Sequence, residues 1–153
     1  MPDGEIWQVR GVCGGCAPLG RCRFGVRKYV DDDRMARGEV TFDALATGGP
    51  GVVHGGYTAL VFDEITGMVS VAHELAPAVT RSLTVSYRKP VPIGEPILLT
   101  ARLDCLEGRD LHITAEMRLA AGDALLASAE AIYRRIPADH FRRHAEWLAQ
   151  QQS

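Results

Sequence analysis

The chain has 153 residues, 46% hydrophobic and 24% charged, with a formal net charge of −2. That length supports one domain with its own core, without disulfides or metals as staples, and is short for two. The near-balanced charge excludes a general nucleic-acid-binding surface, the composition excludes a disordered, collagen-like or coiled-coil chain, and no run of about 18 apolar residues exists to span a membrane.

The first residues, Met1-Pro2-Asp3-Gly4-Glu5-Ile6-Trp7, carry acids and neither a basic n-region nor an apolar h-region. No secretory signal is expected there, and the expected location is the cytoplasm. Residues 1–22 read as an irregular Cys/Gly-rich segment. Within it, Cys13-Gly14-Gly15-Cys16, with Cys22 close by, offers half a zinc site or a redox pair, weighed against plain thiols. No second CxxC completes a zinc site, and distant Cys105 or His112 is weighed as a further ligand. Gly14, Gly15 and Pro18 place the pair in a loop, not at the helix start a redox pair uses. Unliganded thiols are the favoured reading, so neither a metal nor a resident cofactor is expected.

Phe24, Val26 and Val30 at even spacing predict a strand within 22–30. Asp31-Asp32-Asp33 and Gly38 mark a solvated turn. Val40, Phe42 and Ala44 alternate with Glu39, Thr41 and Asp43 as a second strand. Thr47-Gly48-Gly49-Pro50-Gly51-Val52-Val53-His54-Gly55-Gly56 follows, with five glycines that free the backbone. Residues 57–72 then lack proline and are apolar almost all round, which predicts a helix buried on most sides. Pro77 ends it. Alternating runs at 82–87, 97–103, 111–119 and 125–133 predict an antiparallel meander of four. Pro137 suits the first turn of a short C-terminal helix ending near Gln150. The expected organisation is one domain over 23–136 and a helical tail over 137–153. A long helix that is apolar on most faces needs a surface that wraps it, so the fold class is α+β: a curved antiparallel sheet around one central helix, the hotdog arrangement.

The polar feature inside the apolar helix is Asp63-Glu64. At about 100° per residue the two carboxylates point in different directions. Gly56, Ala59, Leu60, Thr66 and Gly67 share the face of Asp63 and are mostly small, whereas Leu60, Val61 and Met68 crowd Glu64. Asp63 is therefore the candidate reactive group, since a carboxylate ionised at neutral pH serves as base or nucleophile. At the helix N-terminus, open N–H groups at Gly55 and Gly56 with the helix dipole favour negative charge, such as a thioester oxygen turning into an oxyanion. Each residue also has a commoner use: a helical Asp is solvated or paired, a His at 54 packs or caps, and Gly-Gly makes a turn. A phosphate loop is not indicated, since neither GxxxxGK[ST] nor GxGxxG occurs. The residues by themselves reach an anion site and a carboxylate, with the substrate open.

Gly-Pro-Gly-Val-Val-His54-Gly55-Gly56, followed by Asp63 nine positions after the His, resembles the hotdog-fold acyl-CoA thioesterases of the phenylacetyl-CoA and 4-hydroxybenzoyl-CoA type. Val79 to Pro90, ending Tyr-Arg-Lys-Pro and followed by Pro-x-Gly through Gly94, resembles the strand after the helix in that family. The Cys-x-x-Cys leader has counterparts in some relatives. The likeness spans roughly residues 13–135.

The resemblance implies a thioesterase acting on an acyl-CoA or an acyl carrier protein, with coenzyme A present as part of the substrate. It implies that Gly55 donates its N–H to the thioester carbonyl, that Asp63 attacks the carbonyl or activates water, and that Thr80 helps hold the water or carboxylate. His54 is implied as a supporting motif residue, and Gly56 as part of the same anion site. Arg88 and Lys89 become candidates for the coenzyme A phosphates. A homodimer or homotetramer with sites between subunits is implied, with neither nucleic acid nor membrane as a partner. The chain departs from the family where many relatives carry Asn or Gln six or seven residues before the His: here stand Gly48 and Thr47, with Thr47 the partial substitute. That departure motivates the alternative of a non-catalytic acyl-CoA-binding or regulatory hotdog. A hydratase lacks its Asp-x-x-x-x-His dyad. Tyr57, Phe62 and Met68 are candidates for shaping an acyl pocket.

Overall fold

The structure is a computed structural model that describes Cys16, Leu19 and residues 21–153. Cys13, Gly14 and Gly15 of the CxxC lie outside the described residues. Strands β1 (Arg27–Val30) and β2 (Ala36–Thr41) lead through a 3-10 turn (Ala44–Ala46) into the short hairpin β3 (Thr47–Gly49) and β4 (Val52–Val53). Helix α1 (Gly55–Ala72) follows, then β5 (Ala78–Tyr87), β6 (Pro96–Glu107), β7 (Asp110–Leu119), β8 (Leu125–Arg135) and helix α2 (His140–Gln151).

Six strands form one antiparallel sheet in the order β1-β2-β6-β7-β8-β5. Its inner face carries the alternating apolar set: Leu99 and Ala101, Leu111 to Met117, and Ala127 to Tyr133 are buried at every second position. Helix α1 lies on that face and buries Val61, Phe62, Ile65, Met68 and Val69. Each such side chain contributes roughly 1.5–3 kcal/mol on burial, so this one contact organises the molecule. Gly38 lies where helix and sheet approach most closely, since a Cβ there would meet Ile65 Cδ1 at 3.2 Å. The hotdog arrangement expected from the sequence is the fold observed. Among the described residues, no helix is long and apolar enough to cross a membrane.

Five details differ from the sequence expectation. The second strand ends at Thr41, and Ala44 belongs to the 3-10 turn. The meander has three strands, β6-β7-β8, and β5 lies at the sheet edge beside β8. The connection from β5 to β6 crosses over the β3–β4 hairpin, where the Val53 N–H donates to Val91 O and the Ile93 N–H to Gly51 O. Proline-rich residues 88–95 suit such a crossing and not a tight hairpin. The first strand is only Arg27–Val30, with Val26 buried ahead of it. Gly38 belongs to β2. The turn is Asp31–Arg34, closed because Asp31 Oδ1 accepts from the Asp33 and Met35 N–H groups. Lastly, Pro137 precedes the C-terminal helix, which has Asp139 at its N-cap and buries no residue.

Candidate active site

The start of α1 is set by close backbone packing. The β3–β4 hairpin brings Gly48 against His54: a Cβ at position 48 would lie 2.5 Å from His54 Cα, so a side chain there collides with backbone. Glycine is the residue that this close approach admits. The His54 N–H donates to Ala46 O at 2.7 Å. His54 is the N-cap of α1, and its Nδ1 accepts from the Gly56 N–H at 2.9 Å. Acceptance through Nδ1 needs that nitrogen unprotonated, which leaves the ring proton on Nε2.

Of the two N–H groups read as open from the sequence, Gly56 is thus occupied by the cap. The Gly55 N–H has no hydrogen-bond partner among the described residues. Tyr87, at the end of β5, donates its hydroxyl to the Gly55 carbonyl oxygen at 2.6 Å, and a Cβ at position 55 would lie 3.3 Å from that hydroxyl. Gly55 therefore combines a free donor at a helix N-terminus with a carbonyl pinned from the sheet.

Asp63 lies two turns further on. Its Oδ1 accepts from Thr80 Oγ1 at 2.7 Å and from the Tyr133 hydroxyl at 2.6 Å. The phenol oxygen is also 2.8 Å from the Asp63 carbonyl and 3.1 Å from Thr66 Oγ1. It has one proton, and the charged carboxylate is the stronger acceptor. Burial, and then the Asp63 carboxylate, raise the Tyr133 pKa well above that of an ordinary phenol, so Tyr133 remains a donor through the working pH range. Asp63 Oδ2 takes no hydrogen bond from the described residues. The carboxylate is thus held by one oxygen and offers the other. Part of the room that Gly67 leaves beside Asp63 is filled by the Tyr133 ring, which a Cβ at Gly67 would meet at 3.6 Å.

Glu64 has a different task. Its Oε2 accepts from Lys28 Nζ at 2.8 Å, with the Lys28 side chain 1% exposed, and Cys22 Sγ is 3.8 Å away. The neighbouring carboxylates are therefore divided between an ion pair to β1 and a hydroxyl-held group. Cys22 is a buried free thiol and Cys105 an exposed one on β6 opposite His112, while the buried Cys16 Sγ accepts from Arg23 Nε at 3.2 Å.

The remaining expected site residues are dispersed. Thr47 is exposed on β3, paired with Val53. Arg88 and Lys89 both donate backbone N–H groups to Leu126 O, at 2.9 and 3.0 Å. The Arg88 side chain lines a groove of about 360 Å³ with Thr100, Arg102, Thr114 and Glu130 on the outer sheet face, opposite the face that carries α1 and Asp63. Phe62 and Met68 are core, and Tyr57 is exposed. The sequence reading missed Tyr87 and Tyr133. Both occupy inward positions of alternating strands, where a polar-tipped ring among alanines and valines signals a hydroxyl aimed at the helix.

Residues 50–126, half of the chain, match the family model described as Thioesterase superfamily. Acyl-coenzyme A thioesterase THEM4 of Mus musculus is 30% identical over 86 residues, covering 56% of this chain and 36% of the relative. Acyl-coenzyme A thioesterase 13 of Homo sapiens is 34% identical over 78 residues, covering 50% of this chain and 55% of the relative. The matched chain thus spans only part of the length of these relatives. Among solved structures, the E. coli PaaI protein from the phenylacetic acid degradation operon superposes with a TM-score of 0.68 at 20% identity, over 79% of this chain and 88% of that one.

Proposed function

This chain belongs to the thioesterase superfamily, and on that premise we propose that it hydrolyses an acyl-CoA, or an acyl carrier protein thioester, to free acid and thiol. The observation that carries the reading is the division of labour on α1: a Gly55 N–H left free at the helix N-terminus, and an Asp63 carboxylate held by Oδ1 with Oδ2 free. The names of the two curated relatives point to the same substrate class.

In this reading the Gly55 N–H, with the helix dipole, stabilises the oxygen that gains charge as the thioester carbonyl becomes tetrahedral. Asp63 Oδ2 either takes a proton from the attacking water, or attacks the carbon itself to give a mixed anhydride that water cleaves to the free acid once the thiolate has left. The C–S bond then breaks and the thiolate leaves, taking up a proton. Thr80 and Tyr133 keep the other oxygen fixed throughout. Eight residues of helix separate Gly55 from Asp63, about 12 Å along the axis. One carbonyl cannot lie within about 3 Å of both, so the site is built from Gly55 of one copy and Asp63 of another. On this proposal the protein acts as a homodimer or homotetramer, and the reading also takes it to need no resident cofactor and to work in the cytoplasm.

A panel of acyl-CoA substrates assayed for thiol release tests this. Asp63→Asn is expected to lower kcat by about 10²–10⁴-fold, the range for a positioned base. Equal rates for wild type and Asp63→Asn on the best substrate would remove Asp63 from its role. Gly48, which leaves no room for a carboxamide beside the site, favours the second reading of an acyl-CoA-binding protein without turnover. Calorimetric binding of acyl-CoA with no hydrolysis would establish that reading. Sedimentation of an active monomer would overturn the shared site.

A further inference from the structure

Strand β5 changes its inward parity once. Below the change, Leu83, Val85 and Tyr87 stand opposite the buried Ala131, Ala129 and Ala127 of β8, and so face α1. Uninterrupted alternation would carry Arg81 and Val79 inward and turn Thr80 to the outer face. The register instead runs Thr80 opposite Tyr133 and Ser82 opposite Ile132, with Arg81 the extra residue of a β-bulge. A bulge of this kind re-aims the side chains beyond it. Here it places Thr80 on the inner face, level with Tyr133, and both reach Asp63 Oδ1.

On the outer face a single carboxylate holds the residues next to both hydroxyls. Asp110, at the start of β7, accepts from Arg134 Nε at 2.8 Å and Nη2 at 3.0 Å, a two-pronged grip on its cross-strand partner. It also accepts from Nη1 of Arg81. Arg81 adjoins Thr80, and Arg134 adjoins Tyr133. The Asp110 side chain is 14% exposed, against 51% for Arg81 and 38% for Arg134, so the carboxylate is the inner member of the cluster.

We propose that Asp110 is a positioning residue for the reaction: by clamping Arg81 and Arg134 on the outer face it fixes the bulge that turns Thr80 inward beside Tyr133, and so fixes the carboxylate of Asp63. The kinetic part of this inference rests on the thioesterase reading. The geometric part does not.

The test compares Asp110→Asn, Thr80→Ala and the double variant. Asp110→Asn is expected to lower kcat by about tenfold, the scale of one hydrogen bond to a charged group, with KM within about twofold. The double variant is expected to be no slower than Thr80→Ala alone, because Asp110 acts through Thr80. Multiplicative losses, or an unchanged kcat in folded Asp110→Asn, would overturn the proposal. A readout free of turnover is the carboxylate carbon resonance of Asp63 in 13C-labelled protein. Asp110→Asn is expected to displace it in the same direction as Thr80→Ala, and an unmoved resonance refutes the clamp. A displaced resonance with no hydrolysis of any acyl-CoA would support the clamp and sink the thioesterase reading. Should Asp110→Asn fail to fold, Arg81→Gln, which leaves the Asp110–Arg134 pair in place, is held to the same criteria.

Discussion

Thr80 and Tyr133 face each other across β5 and β8, and both place a hydroxyl within hydrogen-bond reach of one oxygen of Asp63, at 2.7 and 2.6 Å. Two donors on a single carboxylate oxygen fix the group's rotation about its last bond. The orientation of the free oxygen is then set by the sheet and not by the helix that carries Asp63.

Tyr133→Phe tests how much of that orientation the phenol supplies. The ring still fills the space beside Gly67, and Thr66 Oγ1 keeps its bond to Phe62 O at 2.8 Å, so the fold should persist. A hydrogen bond to a charged group contributes about 1.5–3 kcal/mol. Loss of kcat by about one to two orders of magnitude is expected in steady-state kinetics, with a melting temperature changed little.

His54 acts through the helix start. Its Nδ1 caps the Gly56 N–H, and removing an N-cap acceptor costs about 0.5–2 kcal/mol. His54→Ala should lower the midpoint of chemical unfolding accordingly, and His54→Asn, which keeps a capping oxygen, should restore most of it. Equal losses in both variants would mean that the imidazole matters for something other than capping.

Lys28, 1% exposed, and Glu64, 17% exposed, form a part-buried pair at 2.8 Å, tying β1 to the central helix next to Asp63. Removing Lys28 leaves the part-buried Glu64 carboxylate without its counter-charge, at a cost of up to about 3 kcal/mol. Lys28→Met should therefore destabilise strongly, while Lys28→Met with Glu64→Gln should recover much of the loss. Denaturant titrations of the two variants check this directly.

Asp110 gives a pH signature. The Arg134 hydrogen bonds, aided by the charges of Arg134 and Arg81, lower its pKa from the ordinary 3.8 to about 2. A depressed folded-state pKa means that the unfolded chain binds the proton more readily. The stabilisation is present above pH 3.8 and is lost as pH falls through about 2. Asp110→Asn should flatten the stability curve across that acid window and leave its shape near neutrality unchanged, as thermal unfolding at stepped pH would show.

Much of this protein was determined by local pattern. Alternation at 97–103, 111–119 and 125–133 specified half-buried strands, and the all-round apolar run after Gly56 specified a helix that a sheet must wrap. The small residues on the face of Asp63 and the glycines at the helix start marked a candidate site, to which the resemblance added the His54–Asp63 spacing; His54 caps the helix that carries Asp63. What joins separate elements was decided by the tertiary structure. The edge position of β5 depends on a crossing connection, and the inward aim of Thr80 depends on one extra residue at Arg81, which alternation alone reads the wrong way. Tyr133 meets Asp63 across 70 positions of chain, and a pairing over that separation leaves no periodic trace. Neighbour size favoured Asp63 over Glu64 in the sequence; the partners of the two carboxylates were decided by the fold, where Lys28 pairs with the glutamate and two hydroxyls hold the aspartate.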